Sequence, residues 1–463
     1  MSPTTIYEFG YIYPHGKAVE DGEEVPLPVF SWLEGCCLRA AEQGDAAWLR
    51  LTQRKGRKAV QVTNFVGVIR APNGFQIEVL PKVGRAIGGG KEEARKLLIE
   101  MLRCLNGFRH IQTDSAHLAA ARMPLLEVFI WEFLLAVEYI VKRGLRSDYT
   151  TRQDHLFALR GKLLVSHHLR QNIHRADRFF TEHDEFSTNR PENRLLHAAL
   201  RRVLSISMAH SNQRLARELC FIFADVPVSM QRAQDFQRVR LDRGMGHYAD
   251  ALAWTRLILE EESPLTGVGR NDAPSLLFPM EAVFEAFVAK HLAKQLNRKV
   301  TLQTQARNHH LVLHQDQSWF RLKPDLLVWE STRELIVLDT KWKLLDILKN
   351  NAREKYKLSQ SDFYQLYAYG QHYLDGQGDV VLIYPKTDAF AQPLPVFSFP
   401  KSEGLRLWVL PFCLENRRLL LPDSGQLNEL FMNGRPADFV LSMTAMSQTT
   451  PASAASYETN FSR

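Results

Sequence analysis

The sequence predicts an α/β domain in the C-terminal part of the chain, preceded by a mixed α+β N-terminal region and a mainly helical middle region. Three observations support this prediction. Short β-type runs dominate the start of the chain, apolar residues recur at helical spacing from Leu125 onward, and helices alternate with apolar strands beyond residue 275. Because 463 residues exceed what one compact core usually holds, we expect a division into residues 1–120, 121–265 and 270–425, with a disordered tail over 447–463.

Composition and charge are those of an ordinary globular protein. The formal net charge of +7 permits binding to phosphate groups but does not establish it. The start of the chain lacks the pattern of a signal peptide. The longest apolar stretch, Leu125 to Val141, contains three glutamates and predicts a packed helix rather than a membrane span. Five widely spaced cysteines without a CxxC pair argue against a structural zinc site. We therefore expect reduced thiols, a cytoplasmic location and no membrane partner.

The N-terminal region has β-type runs at Thr5–Tyr13, Ala59–Arg70 and Gly74–Leu80, followed by a helix that starts near Glu92. A glycine-rich segment, Gly88 to Lys91, does not complete the GxxxxGK[ST] pattern of a phosphate-binding loop. No other segment offers such a loop. If the protein's activity needs nucleotide energy, another chain must supply it.

The middle region reads as helical at Leu125–Val141, Asn193–Ala209 and Tyr248–Glu261. Arginines and histidines are frequent between His155 and Arg178, where they either face DNA or form a solvated surface. The segment Ser263–Gly269 has the composition of a linker, and we place a domain boundary there.

The third region alternates helices and strands. The pattern predicts helices at Met280–Gln295 and Ala352–Tyr373, and strands at Val300–Thr304, His309–His314, Trp319–Trp329, Glu334–Lys341, Asp379–Tyr384 and Arg406–Pro411.

Two of these strands carry acidic residues within apolar sequence. Asp325 follows Pro324, and Asp339 precedes Lys341 by two positions, so Asp339 and Lys341 share one face of their strand. Two carboxylates held together repel each other, and a divalent cation relieves that repulsion. Mg²⁺, or Mn²⁺, would take oxygen ligands from Asp325, Asp339 and the backbone carbonyl of Thr340. Lys341 would then orient or help deprotonate a water and stabilise growing negative charge.

The alternative for an isolated D-x-K pattern is an ion pair at a strand end, and the neighbouring helices bear on the choice. Glu285 lies at the border of the apolar face of the preceding helix, with Glu281 one turn earlier, and either could be a further metal ligand. Gln365 and Tyr369 are four residues apart on the following helix, where they could bond to a substrate phosphate or to Lys341. Each could also be an ordinary polar residue at the edge of a core.

The order of these elements resembles the PD-(D/E)xK nuclease fold, and the Gln-xxx-Tyr pair resembles its RecB-type branch. The whole chain resembles the McrC family, the nuclease subunit of the 5-methylcytosine-specific McrBC restriction system. This resemblance rests on segments along the whole chain, namely Asn64–Ile69, Ile77–Lys82, Arg160–Leu163, Glu192–Leu196, Phe284–Glu285, Lys323–Asp325 and Leu338–Lys343.

The McrC resemblance implies a magnesium-dependent DNA endonuclease that serves in phage defence. Its catalytic residues would be Asp325, Asp339 and Lys341, assisted by Glu285, Gln365 and Tyr369. It also implies a partner, an McrB-like AAA+ GTPase hexamer that reads methylated cytosine, so that GTP enters only through that partner. Such chains dock on the ring through their N-terminal region, stimulate GTP turnover and cut DNA after translocation.

Two other functions remain open from the sequence. One is a RecB-like nuclease of repair or recombination, which would normally need a helicase partner. The other is a regulatory activator of an AAA+ ring that does not cleave DNA. The complete set Asp325, Asp339 and Lys341 argues against the second.

Overall fold

The structure, a computed structural model, describes residues 3–16, 22–43, 48–86, 90–105, 123–175, 177–260, 275–331, 333–402, 404–422, 427–431 and 438–441. The chain divides into two compact units. The first comprises Met1–Val288 with Trp342–Leu344, and the second comprises Ala289–Lys341 with Leu345–Arg463. The expected linker at Ser263–Gly269 and the expected tail at 447–463 lie outside the described residues.

The described strands are β1 (Thr4–Tyr7), β2 (Tyr11–Pro14), β3 (Gly22–Val25), β4 (Leu49–Arg54), β5 (Arg57–Val62), β6 (Phe65–Arg70), β7 (Gln76–Leu80), β8 (Asp148–Leu156), β9 (Lys162–Leu163), β10 (Phe179–Ser187), β11 (Ser275–Pro279), β12 (Thr301–Thr304), β13 (His310–His314), β14 (Gln317–Arg321), β15 (Leu326–Glu330), β16 (Arg333–Thr340), β17 (Gly378–Pro385), β18 (Phe397–Ser398), β19 (Leu405–Cys413), β20 (Arg418–Leu419) and β21 (Asp438–Leu441).

The described α-helices are α1 (Leu27–Gln43), α2 (Val83–Ala86), α3 (Gly90–Leu102), α4 (Leu125–Arg143), α5 (Val165–Gln171), α6 (Pro191–Ile206), α7 (His210–Ile222), α8 (Arg232–Arg238), α9 (Ala249–Glu260), α10 (Met280–Leu292), α11 (Gln360–Tyr373) and α12 (Leu427–Leu430). The chain is thus a mixed α/β protein, as the sequence predicts in outline.

The N-terminal part of the first unit contains two four-stranded sheets with one shared core. The strand orders are β1-β7-β6-β11 and β3-β2-β5-β4. Apolar residues of both sheets and of α1 form that core, including Ile12, Leu33, Val60, Ile69 and Ile77. Alternating strand residues place these side chains on inward faces, and their removal from water is the main favourable term in forming the sheets.

Strand β11 returns late in the chain to complete the first of these sheets. It pairs antiparallel with β6, from Ser275 opposite Ile69 to Pro279 opposite Phe65. Leu277 of β11 joins the N-terminal core. By its sequence pattern β11 belongs to the third region, from residue 270 onward, and no local pattern indicates this pairing.

The middle of the chain combines helices with a sheet that the sequence analysis does not anticipate. Helices α4, α6, α7 and α9 pack on one another. The long strands β8 and β10 pair over nine residues each, and β9 adds to β10. Strand β8 is largely exposed, so it lacks the apolar alternation that identifies a half-buried strand.

The second unit is built on a sheet of eight strands. Its order is β18-β19-β17-β16-β15-β12-β21, with β20 beside β19. Strand β16 lies inside this sheet, antiparallel to β15 and parallel to β17. Helix α11 covers the sheet through Leu366, Tyr369 and Tyr373, which belong to the unit's core.

The predicted elements of the second unit differ from the observed ones in two places. The predicted strand Trp319–Trp329 is divided between β14 and β15, and Leu322–Asp325 between them are not strand residues. The predicted helix from Ala352 begins only at Gln360. A short 3₁₀ turn, Lys355–Lys357, precedes it, and all three of its residues have positive φ, which an α-helix cannot contain.

None of the five cysteines forms a disulfide bond. No helix among the described residues is both long and apolar enough to cross a membrane.

Gly67 of β6 is a position where the fold requires glycine. Its φ is +129°, and a Cβ atom there would lie 1.9 Å from the backbone oxygen of Leu276 in β11. We expect Gly67→Ala to lower the free energy of unfolding by about 2 kcal/mol or more, because strained backbone and a backbone clash add. Thermal unfolding followed by circular dichroism measures this loss.

Gly35→Ala is the matched control. Gly35 lies inside helix α1, where the nearest atom to an added Cβ is the flexible end of Arg39 at 3.5 Å. Alanine is favoured over glycine in a helix interior by about 1 kcal/mol, so the control should be neutral or stabilising. Equal loss of stability in both variants would contradict the role assigned to the β6–β11 pairing.

Candidate active site

The pairing of β15 with β16 creates the candidate site. Leu326 lies opposite Leu338 in this antiparallel pair. Asp325, directly before β15, and Asp339, near the end of β16, are therefore brought to the same end of the two strands. Asp339 is only 1% exposed, because β16 is covered inside the sheet.

Asp325 is held by the residue that separates Asp339 from Lys341. Its Oδ2 atom accepts hydrogen bonds from the backbone N–H and the hydroxyl of Thr340, each 2.7 Å long. Its own backbone carbonyl accepts a bond from the N–H of Gln305 at 2.7 Å. The Thr340 hydroxyl is a contact that the sequence analysis does not predict, because strand alternation alone points Thr340 away from the Asp339 face.

Lys341, directly after β16, pairs with Asp339. Its ammonium nitrogen Nζ lies 2.5 Å from Oδ2 of Asp339. Its backbone N–H donates to the carbonyl of Ile383 in β17 at 2.8 Å. The strand end is therefore fixed by the sheet at the position from which the lysine side chain extends.

Gln365 and Tyr369 of α11 continue the network from Lys341. Lys341 Nζ donates to Gln365 Oε1 at 3.1 Å, and Gln365 Nε2 donates to the hydroxyl of Tyr369 at 2.8 Å. That hydroxyl donates in turn to the carbonyl of Lys323 at 3.0 Å. Burial, and then the charge on Asp339, raise the pKa of Tyr369, so its hydroxyl stays protonated and able to donate.

The electrostatics of the site are dominated by burial and by like charge. Burial, followed by the charge on Asp325, raises the pKa of Asp339 to about 7, and Lys341 opposes that rise. Burial also raises the pKa of Asp325 against the hydrogen bonds from Thr340 and the charge of Lys341. Burial disfavours the charge on Lys341, but Asp339, Asp325 and Asp362 outweigh it and raise the lysine's pKa.

The carboxylates fit a hard divalent cation. Asp325 and Asp339 are two buried acids, and the charge on Asp325 raises the pKa of Asp339. Such a cation relieves repulsion of this kind. Among the described residues, no three His, Cys, Asp or Glu side chains lie together as a possible metal site. A cation held here would take its protein ligands from Asp325, Asp339 and backbone oxygen, the carbonyl of Thr340 being the predicted one.

Glu285 and Glu281 lie on α10 in the first unit. Glu281 Oε2 accepts a hydrogen bond from the Asn64 side-chain amide at 2.6 Å. Glu285 is partly buried on the same helix. A part for either acid in metal binding stays a prediction, whereas Asp325, Asp339, Thr340, Lys341, Gln365 and Tyr369 form one network.

A second hydrogen bond near the site is also not predictable from the sequence pattern. The hydroxyl of Tyr384 in β17 donates to Asp362 Oδ2 of α11 at 3.1 Å. Asp362 is close enough to act on the pKa values of both Asp339 and Lys341. The spacing of residues in the sequence does not identify Asp362, because its position near the site depends on how α11 packs on β17.

Comparison with known proteins gives a consistent assignment. The model of the family described as McrBC 5-methylcytosine restriction system component matches residues 60–385. No curated protein matches the chain significantly.

Two solved structures resemble the chain. One chain in the refined half-complex from the tetradecameric assembly of Thermococcus gammatolerans McrB AAA+ hexamers with bound McrC has 19% identity and a TM-score of 0.65. The alignment covers 93% of this chain and 98% of that chain. A chain in the cryo-EM structure of the Thermococcus gammatolerans McrBC complex has 21% identity and a TM-score of 0.49, covering 64% and 88%. The first similarity shows a shared fold. Because the family model spans well over half of the sequence, the chain belongs to the McrBC 5-methylcytosine restriction system component family.

Proposed function

We propose that this chain is the metal-dependent DNA endonuclease subunit of a modification-dependent restriction system directed at 5-methylcytosine. The observation that carries the proposal is the meeting of Asp325, Asp339 and Lys341 at one end of β15 and β16. The order of strands and helices around them agrees with the PD-(D/E)xK nuclease fold that the sequence predicts. Membership of the McrBC family supports a restriction role.

Asp325, Asp339 and the carbonyl of Thr340 would hold Mg²⁺, or Mn²⁺, and Glu285 is a further candidate ligand. When bound, such a cation supplies Lewis-acid chemistry that polarises a phosphodiester and makes water a better nucleophile. The bonds from Thr340 to Asp325 Oδ2 fix the orientation of that carboxylate. An oriented carboxylate needs no rearrangement when it binds a ligand.

Lys341 acts as the positive group beside the scissile phosphate. Because its pKa is raised, its side chain stays an ammonium at neutral pH. It therefore orients water and stabilises negative charge on the phosphate more readily than it removes a proton. Gln365 accepts a hydrogen bond from the ammonium, and Tyr369 fixes Gln365, so the lysine is held in one direction.

The proposed partner is an AAA+ GTPase hexamer. The solved assembly that shares this fold contains McrB AAA+ hexamers with bound McrC. The present sequence completes no phosphate-binding loop of the GxxxxGK[ST] type. We therefore assign GTP binding and recognition of methylated DNA to the partner, and phosphodiester hydrolysis to this chain. Contacts of the nuclease domain with DNA would be mainly to phosphates, which position DNA without reading its sequence.

Substitution at the site separates cleavage from stimulation of the partner. Wild type, Asp339→Ala and Lys341→Ala are each mixed with an McrB-type GTPase, GTP, Mg²⁺ and plasmid DNA, methylated or unmethylated. We expect Lys341→Ala to slow cleavage of methylated plasmid about 10²- to 10³-fold, because a charge-stabilising group is lost. Asp339→Ala should abolish cleavage. GTP turnover should be stimulated equally by all three.

Lys349→Ala serves as the control and should cut like the wild type, because Lys349 is a partly exposed lysine of the same unit that pairs with Glu354. Variants that cut as well as the wild type would refute the site and leave this chain as an activator of the ring. Cleavage without a GTPase, or from DNA ends alone, would instead favour a RecB-like repair nuclease.

Gln365 offers a test of the network around Lys341. Gln365→Leu removes both the acceptor for Lys341 and the donor to Tyr369, and we expect cleavage to slow about 10- to 100-fold, as for other groups that orient a site. Gln365→Glu keeps an acceptor and should retain more activity. Gln371→Leu is the matched control on the same helix, because Gln371 bonds to Ser402 instead. An equal loss in the two leucine variants would show that Gln365 serves only the packing of α11.

The pKa of Asp339 predicts how cation binding depends on pH. The carboxyl carries a proton below about pH 7, so a cation must displace that proton there and meets a free carboxylate above it. We expect the Kd for Mn²⁺, measured by calorimetry without DNA, to fall about fivefold from pH 6 to 7 and by no more than about twofold above pH 7. Asp339→Asn should lose this binding, whereas Glu354→Gln, an exposed acid, should retain it. Affinity that is independent of pH would contradict the assignment.

A further inference from the structure

The residue that follows Lys341 is held by two charged residues from the N-terminal part of the chain. Trp342 belongs to the first unit, together with Glu8 and Lys82. We call Glu8, Lys82 and Trp342 the Trp342 anchor. Glu8 follows β1, and Lys82 follows β7. Lys82 and Trp342 lie in segments that resemble the McrC family, and the proposed chemistry uses none of the three residues.

Trp342 is fixed through its side chain and through its backbone. The indole Nε1 donates to Glu8 Oε1 at 2.6 Å, and the backbone carbonyl of Trp342 accepts a hydrogen bond from Lys82 Nζ at 3.0 Å. The indole ring packs against the ring of Phe284, with the centroids 5.2 Å apart. The Lys82 ammonium lies 5.4 Å from the centroid of the same indole. These contacts leave the tryptophan 6% exposed and restrict both its ring and its peptide group.

Burial of the charges of Glu8 and Lys82 costs free energy. Both side chains are buried or nearly so, and Glu8 Oε2 is 3.8 Å from Lys82 Nζ without a hydrogen-bond partner among the described residues. Burial raises the pKa of Glu8 and lowers that of Lys82, and Glu281 adds a further negative charge nearby. A buried ion pair seldom stabilises a fold better than apolar residues of the same size. Stability alone therefore does not account for this pair.

The hydrogen bonds that Glu8 and Lys82 make explain why this buried pair is present. Glu8 Oε1 accepts from the Lys82 backbone N–H at 2.9 Å as well as from the indole, so one carboxylate oxygen ties the end of β7 to Trp342. Lys82 Nζ then reaches the Trp342 carbonyl. Trp342, the residue after Lys341, is therefore fixed by two polar contacts from residues far away in sequence, one to its indole and one to its backbone carbonyl.

We propose that Glu8 and Lys82 are positioning residues, which hold the backbone after Lys341 so that its ammonium keeps its place beside Asp339. This inference rests on the proposed nuclease function, which gives Lys341 its catalytic role. Small displacements of a reacting or charge-stabilising group reduce rates steeply. Loosening the Trp342 anchor should therefore lower the rate constant kcat without weakening DNA binding.

The experiment combines kinetics with a structural readout that needs no activity. Trp342→Phe keeps an aromatic ring but removes the indole donor, and Lys82→Met removes the donor to the Trp342 carbonyl. In the full complex with the GTPase, we expect each variant to lower kcat for cleavage about 10- to 100-fold with KM for DNA unchanged. In hydrogen–deuterium exchange of the isolated chain, peptides covering residues 339–345 should exchange faster. Glu8→Gln keeps an oxygen acceptor and should lie between these variants and the wild type.

The matched control is Arg95→Lys, which alters another buried ion pair in the first unit. Arg95 forms two bonds with Glu78, of 2.7 and 2.6 Å, and neither residue is bonded to Trp342. At temperatures where all variants are folded, Arg95→Lys should leave kcat and the exchange of residues 339–345 unchanged.

The proposal would be overturned by unchanged exchange in Trp342→Phe and Lys82→Met, or by equal losses of kcat in Arg95→Lys. A wild-type chain that does not cut DNA, together with faster exchange in the anchor variants, would refute the proposed function while supporting the anchor.

Discussion

The site depends on one unfavourable interaction, the repulsion between the carboxylates of Asp325 and Asp339. The register of β15 against β16 forces the two acids together, and the surrounding sheet removes water from Asp339. A buried charge is tolerated only when something pairs with it. The other contacts of the site compensate for these buried charges. Thr340 donates twice to Asp325, and Lys341 reaches Asp339. A cation would complete this compensation, as the proposed function requires.

The apolar sheet and helix α11 hold the polar groups of the site in fixed positions. Val337 and Leu338 are fully buried in β16, so the strand has little freedom to shift. Helix α11 buries Leu366 and Tyr373 against the sheet while presenting Gln365 and Tyr369 to Lys341 and Lys323. The rigid apolar faces thus determine where the few polar atoms lie. Orientation obtained in this way does not have to be created when substrate binds.

The local sequence pattern predicts those site residues whose positions depend on strand alternation or helical spacing. The apolar runs around Asp325 and Asp339, and the four-residue spacing of Gln365 and Tyr369, were sufficient to select the residues that the structure brings together. The hydroxyl bond from Thr340 to Asp325 was missed because it depends on how the chain turns into β15. The exposed strand β8 was missed because it has no buried face to reveal it. The pairing of β11 with β6 and the contacts of Trp342 with Glu8 join residues hundreds of positions apart, and a periodicity analysis carries no information about such pairs.

The position of β11, far along the chain from β6, affects folding during synthesis. The sheet that begins with β1 cannot be closed on its β6 side until the ribosome has added Ser275–Pro279, roughly two hundred residues after β6 itself. During that interval the apolar strand Phe65–Arg70 presents an unpaired edge, and such edges recruit other strands. Fragments that stop short of Ser275 would keep that edge permanently, so the N-terminal part should be prone to aggregation when it is produced without its last strand.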